Sequence, residues 1–103
     1  MSVLMEFAMF PTDKGDSVSA YVSKVIESID ASNHSYQLTA MGTVVEVDTM
    51  EEALAILQRA YDVLDPVSER VYSSVKFDIR KNKKNRLKGK IDSIHRHFKN
   101  AKT

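Results

Sequence analysis

Ser35-Tyr36-Gln37-Leu38-Thr39-Ala40-Met41-Gly42-Thr43-Val44-Val45-Glu46-Val47-Asp48 is the stretch that decides the fold. Residues 35–40 and 43–48 read as two short strands folded back on each other around Met41-Gly42. The β-branched run Thr43-Val44-Val45, followed by Val47, suits a half-buried pleated strand. On the N-terminal side of this hairpin, Val18, Tyr21, Val22, Val25, Ile26 and Ile29 recur at three- and four-residue spacing and predict a helix with one apolar stripe. Asp16 or Ser17 is expected to cap it, and Ala31-Ser32-Asn33-His34 to end it. On the C-terminal side, Thr49 stands three residues before Glu52, the spacing of a capping box. A stripe of Met50, Ala53, Leu54, Leu57, Ala60, Tyr61 and Leu64 follows, and Asp65-Pro66 stops that second helix.

One more strand lies beyond each helix. In residues 2–10, Val3, Met5, Phe7 and Met9 alternate with Leu4, Glu6, Ala8 and Phe10, so both faces are largely apolar and a central strand is expected. In residues 70–79, Val71, Ser73, Val75, Phe77 and Ile79 alternate with Arg70, Tyr72, Ser74, Lys76 and Asp78. The order β-α-β-β-α-β defines an α+β, ferredoxin-like sandwich: a four-stranded antiparallel sheet with both helices on one face. The opposite face then carries Leu4, Ala8, Phe10, Val44 and Tyr72 among Glu6, Glu46, Arg70, Lys76 and Asp78. So apolar a wall is expected to be covered by the sheet of a second copy, giving at least a homodimer. Residues 1–80 form the core in this reading. Residues 81–103 are a basic connector, Lys81–Lys88, and a short helix over 90–98, packed on the core or on a neighbouring subunit. Docking of Ile91, Ile94 and Phe98 on a neighbour would build a tetramer.

The chain's 103 residues, 43% of them hydrophobic, fit one globular domain. The absence of cysteine excludes disulfides, thiolate metal sites and thiol nucleophiles. No apolar run approaches the ~18 residues of a membrane span, and no basic region precedes an apolar core at the N-terminus, so a cytoplasmic protein is expected. His34, His95 and His97 show no metal-site spacing; on a helix His95 and His97 would diverge by about 200°. Ser73-Ser74 lacks a nucleophile-elbow setting, and three glycines build no phosphate loop. A non-catalytic protein without cofactor or metal is the expectation. Net charge is +1 overall but sharply divided. Residues 1–79 carry five Lys or Arg against thirteen Asp or Glu, whereas residues 80–103 carry ten against Asp92 alone. The acidic body favours a cationic ligand, and the basic tail an anionic partner or docking on the body.

Three blocks also resemble a known family. Pro11…Asp16-Ser17-Val18-Ser19-Ala20-Tyr21-Val22 resembles its entry into helix one, and Tyr36–Glu46 its Y.L.PMGT.IEG hairpin. Arg70-Val71…Val75-Lys76-Phe77-Asp78-Ile79-Arg80 resembles its last strand, with Lys90-Ile91 near its closing Lys-Val. Together they look like the small thiamine-binding, YkoF-like proteins of ferredoxin-like fold. Ala40 departs from the family's common proline, and Val47 from a glycine.

The resemblance implies non-catalytic binding of thiamine or its hydroxymethylpyrimidine half, with a role in thiamine supply or transport. Such a ligand needs a flat partner for its ring, an acceptor for its exocyclic amine and a setting that tolerates a cation. Glu46 is the candidate acceptor, unless it pairs with Arg70 or Lys76 across the sheet. Tyr36 and Tyr72 are candidate ring partners and Thr43 a hydroxyl donor, although all three also suit plain strand packing. Ser17 and Ser19, at the start of helix one, either hold a polar ligand or cap the helix. Met41 is a soft wall or core filler, and Gly42 is expected to serve a turn with positive φ. The alternative is an RNA-binding module that uses the basic 80–103 segment. It is disfavoured because Tyr72 is the one aromatic that the fourth strand turns outward.

Overall fold

The computed structural model describes residues 1–103. The hairpin forms as β2 (Ser35–Thr39) and β3 (Gly42–Val47), joined by Ala40 and Met41. α1 (Ser19–Ala31) precedes it and α2 (Met50–Leu64) follows it. β1 (Ser2–Pro11) and β4 (Val71–Arg80) complete a sheet of order β2-β3-β1-β4, antiparallel at every pairing. The fold is the ferredoxin-like α+β arrangement that the element order requires.

Strand parity survives intact. Met5 pairs with Val45 on one side and Phe77 on the other, and these three point toward the helices. Leu4 pairs with Glu46 and Asp78, and Phe10 with Tyr72, on the opposite face. The core lies between sheet and helices. Val3, Met5, Phe7 and Met9 of β1 and Val45 and Val47 of β3 meet Val25 and Ile29 of α1 and Ala53, Ile56, Ala60 and Leu64 of α2. Ala53 and Ala60 are wholly buried, and their small side chains let the α2 backbone approach the sheet closely.

Several local expectations need correction. The buried stripe of α2 runs through Ile56, while Leu54 and Tyr61, expected inside, are 53% and 42% exposed. The helix is rotated so that the 53/56/60/64 row faces the sheet. At α1, neither Asp16 nor Ser17 caps: Val18 is the N-cap, without a side-chain cap bond, and its carbonyl accepts from Tyr21 and Val22 N–H. Thr49 does cap α2, its hydroxyl oxygen accepting from the Glu52 N–H at 3.1 Å. Gly42 is not the positive-φ residue of its turn; among glycines only Gly15 is. A Cβ at Gly42 would instead stand 2.9 Å from the Phe7 carbonyl oxygen, so glycine is required by the close passage of β1. The turn is held by Thr39, whose hydroxyl donates to the Gly42 carbonyl at 2.9 Å and accepts from Met41 N–H at 3.3 Å.

The C-terminal helix, α3, spans Arg86–His97, four residues earlier at its start than the apolar spacing suggests. It lies across the sheet face opposite α1 and α2, against β1 and β3. That placement reduces Leu4 to 9% exposure, while Phe10 and Tyr72 stay outside its cover.

Candidate functional site

Two regions concentrate side-chain chemistry, one on each side of the sheet. The first is the groove between α1 and the hairpin. β2 is an edge strand, paired only with β3, and α1 runs beside it without closing the gap. The result is a cavity of about 720 Å³, floored by Val22, Ile26 and Leu38 and rimmed by Ser19, Glu27 and Asp30. A second cavity of about 300 Å³ shares Val22, Ile26 and Leu38 and extends under the hairpin turn to Met41, Gly42 and Thr43. The two form one trough of a size that suits a small organic ligand.

Tyr36 closes one wall of the trough. Its parity on β2 turns it toward the helices, and its hydroxyl donates to Asp30 Oδ1 at 2.8 Å. The Asp30 carboxylate beside it pushes the Tyr36 phenol above its ordinary range, first through that hydrogen bond and then with some help from burial. Asp30 and Glu27 are three residues apart on α1, which stacks both carboxylates on one flank of the helix. Thus an apolar floor, one aromatic ring and two carboxylates come together.

The second region is the seam between α3 and the sheet. Here Glu46 is fully engaged. One carboxylate oxygen accepts from the Ser2 hydroxyl at 2.5 Å and from the Arg86 N–H at 2.9 Å; the other accepts from the Leu87 N–H at 3.1 Å. These are the first N–H groups of α3, so Glu46 is a long-range helix cap. Burial alone would raise its pKa. The Ser2 hydroxyl, the two N–H donors and the Arg86 charge outweigh that and hold it below the usual carboxylate range. Arg86 is 5% exposed and stitches three places together. Its Nε donates to the Ser2 hydroxyl at 3.0 Å, and its Nη2 donates to the backbone carbonyls of Ser2 at 2.8 Å and Asp78 at 2.5 Å. Asp78 also carries Arg86 Nη1 and Lys90 Nζ, both at 3.0 Å from Oδ2.

The eight residues singled out from the sequence therefore separate, except that Tyr36 and Glu46 also share the wall of a third cavity, of about 670 Å³, at the α3 seam. Ser19, Tyr36, Met41, Gly42 and Thr43 line the trough. Ser17 stays in the exposed segment before α1. Glu46 lies in the α3 seam, and no pairing joins it to Arg70 or Lys76; Lys76 faces Glu6 instead, at 3.8 Å. Tyr72 packs on Phe10, with ring centroids 5.5 Å apart. Their partners on β1, Leu4 and Phe10, are six residues apart, so Glu46 and Tyr72 are separated by about 20 Å of strand. One small ligand cannot touch both. Glu27 and Asp30 were missed at the sequence level. Their signal is the i, i+3 acidic pair flanking the Val22–Ile26 stripe.

Comparison with known proteins supplies the class. The family model described as thiamine-binding protein matches residues 5–95. UPF0045 protein MJ1052 of Methanocaldococcus jannaschii is 38% identical over 92 residues, covering 89% of this chain and 91% of its own. UPF0045 protein Mb1933 of Mycobacterium bovis is 32% identical over 98 residues, covering 95% and 96%. The chain belongs to the thiamine-binding protein family. Among solved structures, MJ1052 superposes with a TM-score of 0.79 at 39% identity, over 90% of this chain and 95% of that one. A Thermotoga maritima protein described as a candidate for thiamine biosynthesis or salvage shares the fold at the same TM-score of 0.79. Its identity is 16%, over 91% of this chain and 99% of that one. The family bears a binding name and no catalytic one. No helix is long and apolar enough to cross a membrane, and no cluster of three or more His, Asp or Glu has metal-site geometry.

Proposed function

We propose that the chain binds thiamine, or its hydroxymethylpyrimidine half, without converting it, in the trough between α1 and the hairpin, as a carrier in thiamine supply. The observation that supports this most directly is the meeting of Glu27, Asp30 and the Tyr36 ring above an apolar floor. A thiazolium cation gains from two nearby carboxylates and an aromatic wall. The pyrimidine amine is a donor, and Asp30 Oδ2 is free of the Tyr36 bond to receive it. Membership of a family named for thiamine binding supports the ligand, and the acidic balance of residues 1–79 favours any cation.

Titration calorimetry with thiamine, hydroxymethylpyrimidine and thiamine phosphates tests this reading. Saturable binding of thiamine, weakened at least tenfold in Asp30→Asn, is expected. No heat and no thermal shift at millimolar thiamine would overturn it. The nucleic-acid alternative draws on the basic segment alone, because the single Phe10–Tyr72 pair, its rings packed on each other, offers little surface for stacking bases.

Self-association belongs to the same proposal. Phe77 and Ile79 on edge strand β4 are 39% and 46% exposed, and Phe98 on the tail 60%, so apolar surface on both sides of the sheet is available to a second copy. A homodimer, extended to a tetramer through the tail, is the expected assembly; light scattering that gives a monomer at micromolar concentration would refute it.

A further inference from the structure

On the far side of α3 from the trough, the strand-to-helix connection folds into a cavity of about 380 Å³ without a single hydrophobic residue in its wall. Arg80 at the end of β4, Lys83 and Lys84 in the connector, and Lys90 and Arg96 on α3 surround it, with Asp92 the one carboxylate. Lys90 is paired with Asp78, but Arg80, Lys83, Lys84 and Arg96 are in no ion pair. Arg86 also lines the cavity, but its guanidinium is buried and committed to Ser2 and Asp78.

Four free cations drawn into one concavity repel each other, and a solvated charge run would relieve that repulsion by spreading. Here the side chains are exposed, but the backbone that carries them is held in place. Asn85, in a left-handed conformation with φ 55°, turns the connector into α3, and the Glu46 cap then fixes where the helix starts. The cavity offers charge and N–H donors but no aromatic surface and no apolar floor. It therefore suits a compact, multiply charged oxyanion and not a nucleobase or an acyl chain.

We propose that this cavity is a binding site for a phosphate-bearing anion, most favourably a diphosphate, separate from the α1 trough. The anion's oxygens take the place of the missing carboxylates beside Arg80, Lys83, Lys84 and Arg96. The site is independent of what the trough holds, since it shares no residue with the trough's lining.

The test is calorimetry of the full chain with inorganic pyrophosphate in a chloride buffer, with amide chemical shifts of residues 83–90 followed in parallel. Saturable one-site binding is expected, weakening as salt rises, with shift changes at Asn85 and its neighbours. Lys83→Gln combined with Lys84→Gln should reduce affinity at least tenfold at unchanged circular dichroism, whereas Lys14→Gln, on the opposite loop, should not alter it. ADP serves as a diphosphate ester. Tighter binding of ADP would assign the site to the phosphate end of a larger molecule, and equal or weaker binding to the free anion; both support the proposal. It is overturned if millimolar pyrophosphate gives neither heat nor shift changes, or if the double variant binds as well as the parent. It is also overturned if a single-stranded RNA binds with length-dependent affinity that pyrophosphate does not displace, which would make the segment a nucleic-acid contact.

Discussion

Asp30 and Glu46 are both carboxylates on the acidic body, and they do opposite things. Glu46 lies under α3 with both oxygens occupied by donors from Ser2, Arg86 and Leu87. Asp30 stands at the rim of an open trough with one oxygen given to Tyr36 and the other unclaimed. A carboxylate whose acceptors are all used by its own chain contributes to folding. One with an acceptor left over, beside an apolar floor, has capacity for a ligand. The difference separates what holds this molecule together from what it can bind, and substitutions in the two regions should change different measurements.

The largest effect is expected at Arg86. Replacing it with alanine removes the guanidinium that ties Ser2, Asp78 and the start of α3, and leaves the buried Ser2 carbonyl and the Asp78 carbonyl without this donor. A loss of about 3 kcal/mol is expected, read in urea denaturation, with thiamine affinity per folded molecule unchanged. If affinity fell in proportion, the seam and the trough would be one coupled unit and the contrast would fail. Glu46→Gln should cost less, about 1–2 kcal/mol, the range of a lost cap. The amide can still accept at one atom but presents donors to the α3 N–H groups. Again stability, not affinity, should move.

Acidification should find the same seam. Glu46 is held below its reference value of 4.5, so its contribution is complete above that value and is lost as pH falls through the lower folded-state value. Asp78 follows the same sign from 3.8, lowered first by Lys90 and then by Arg86. Denaturation midpoints measured between pH 6 and pH 3 should drop in the parent and drop less steeply in Glu46→Gln, where Asp78 and Asp13 still titrate. Equal slopes in the two proteins would show that the acid-sensitive contacts lie elsewhere.

The contrast also explains which features could be read from the chain. Strand parity is local: alternation in residues 2–10 and 70–79 places Phe77 with Met5 and Tyr72 with Phe10 whatever the helices do. The Thr49 cap is local as well, three residues from its donor. By contrast, Glu46 is 40 residues from Arg86, so no short window reveals that it begins a helix there, and apolar spacing alone starts α3 too late. Gly42 has the same character, since what forbids a side chain is the Phe7 carbonyl of another strand. The trough was half legible. The hairpin block located Tyr36, Met41, Gly42 and Thr43, while the acid facing Tyr36 sits six positions earlier on α1 and belongs to the site only because the edge of the sheet meets that helix.

The smallest effect, and the sharpest for the trough, is Tyr36→Phe. The ring stays, so aromatic contact with a bound cation is kept, but the hydroxyl that occupies Asp30 Oδ1 is removed. If the phenol's role is to orient the carboxylate, thiamine affinity should weaken about two- to fivefold, equivalent to about 0.5–1 kcal/mol, the net worth of one hydrogen bond. Asp30→Asn in the same background should then weaken binding further, because its charge faces the cation whether or not Tyr36 holds it. High pH provides an independent check. Because Asp30 raises the Tyr36 pKa above its usual 10.0, the stabilising bond is present below that value and lost as pH rises through the higher folded-state value. Tyr61 is raised in the same way by its bond to Asp65, so phenolate absorbance should show two late-ionising tyrosines in the parent and one in Tyr36→Phe. A parent protein whose tyrosines all ionise together would mean that Tyr36 and Asp30 are not joined in solution, and the trough would lose its oriented acceptor.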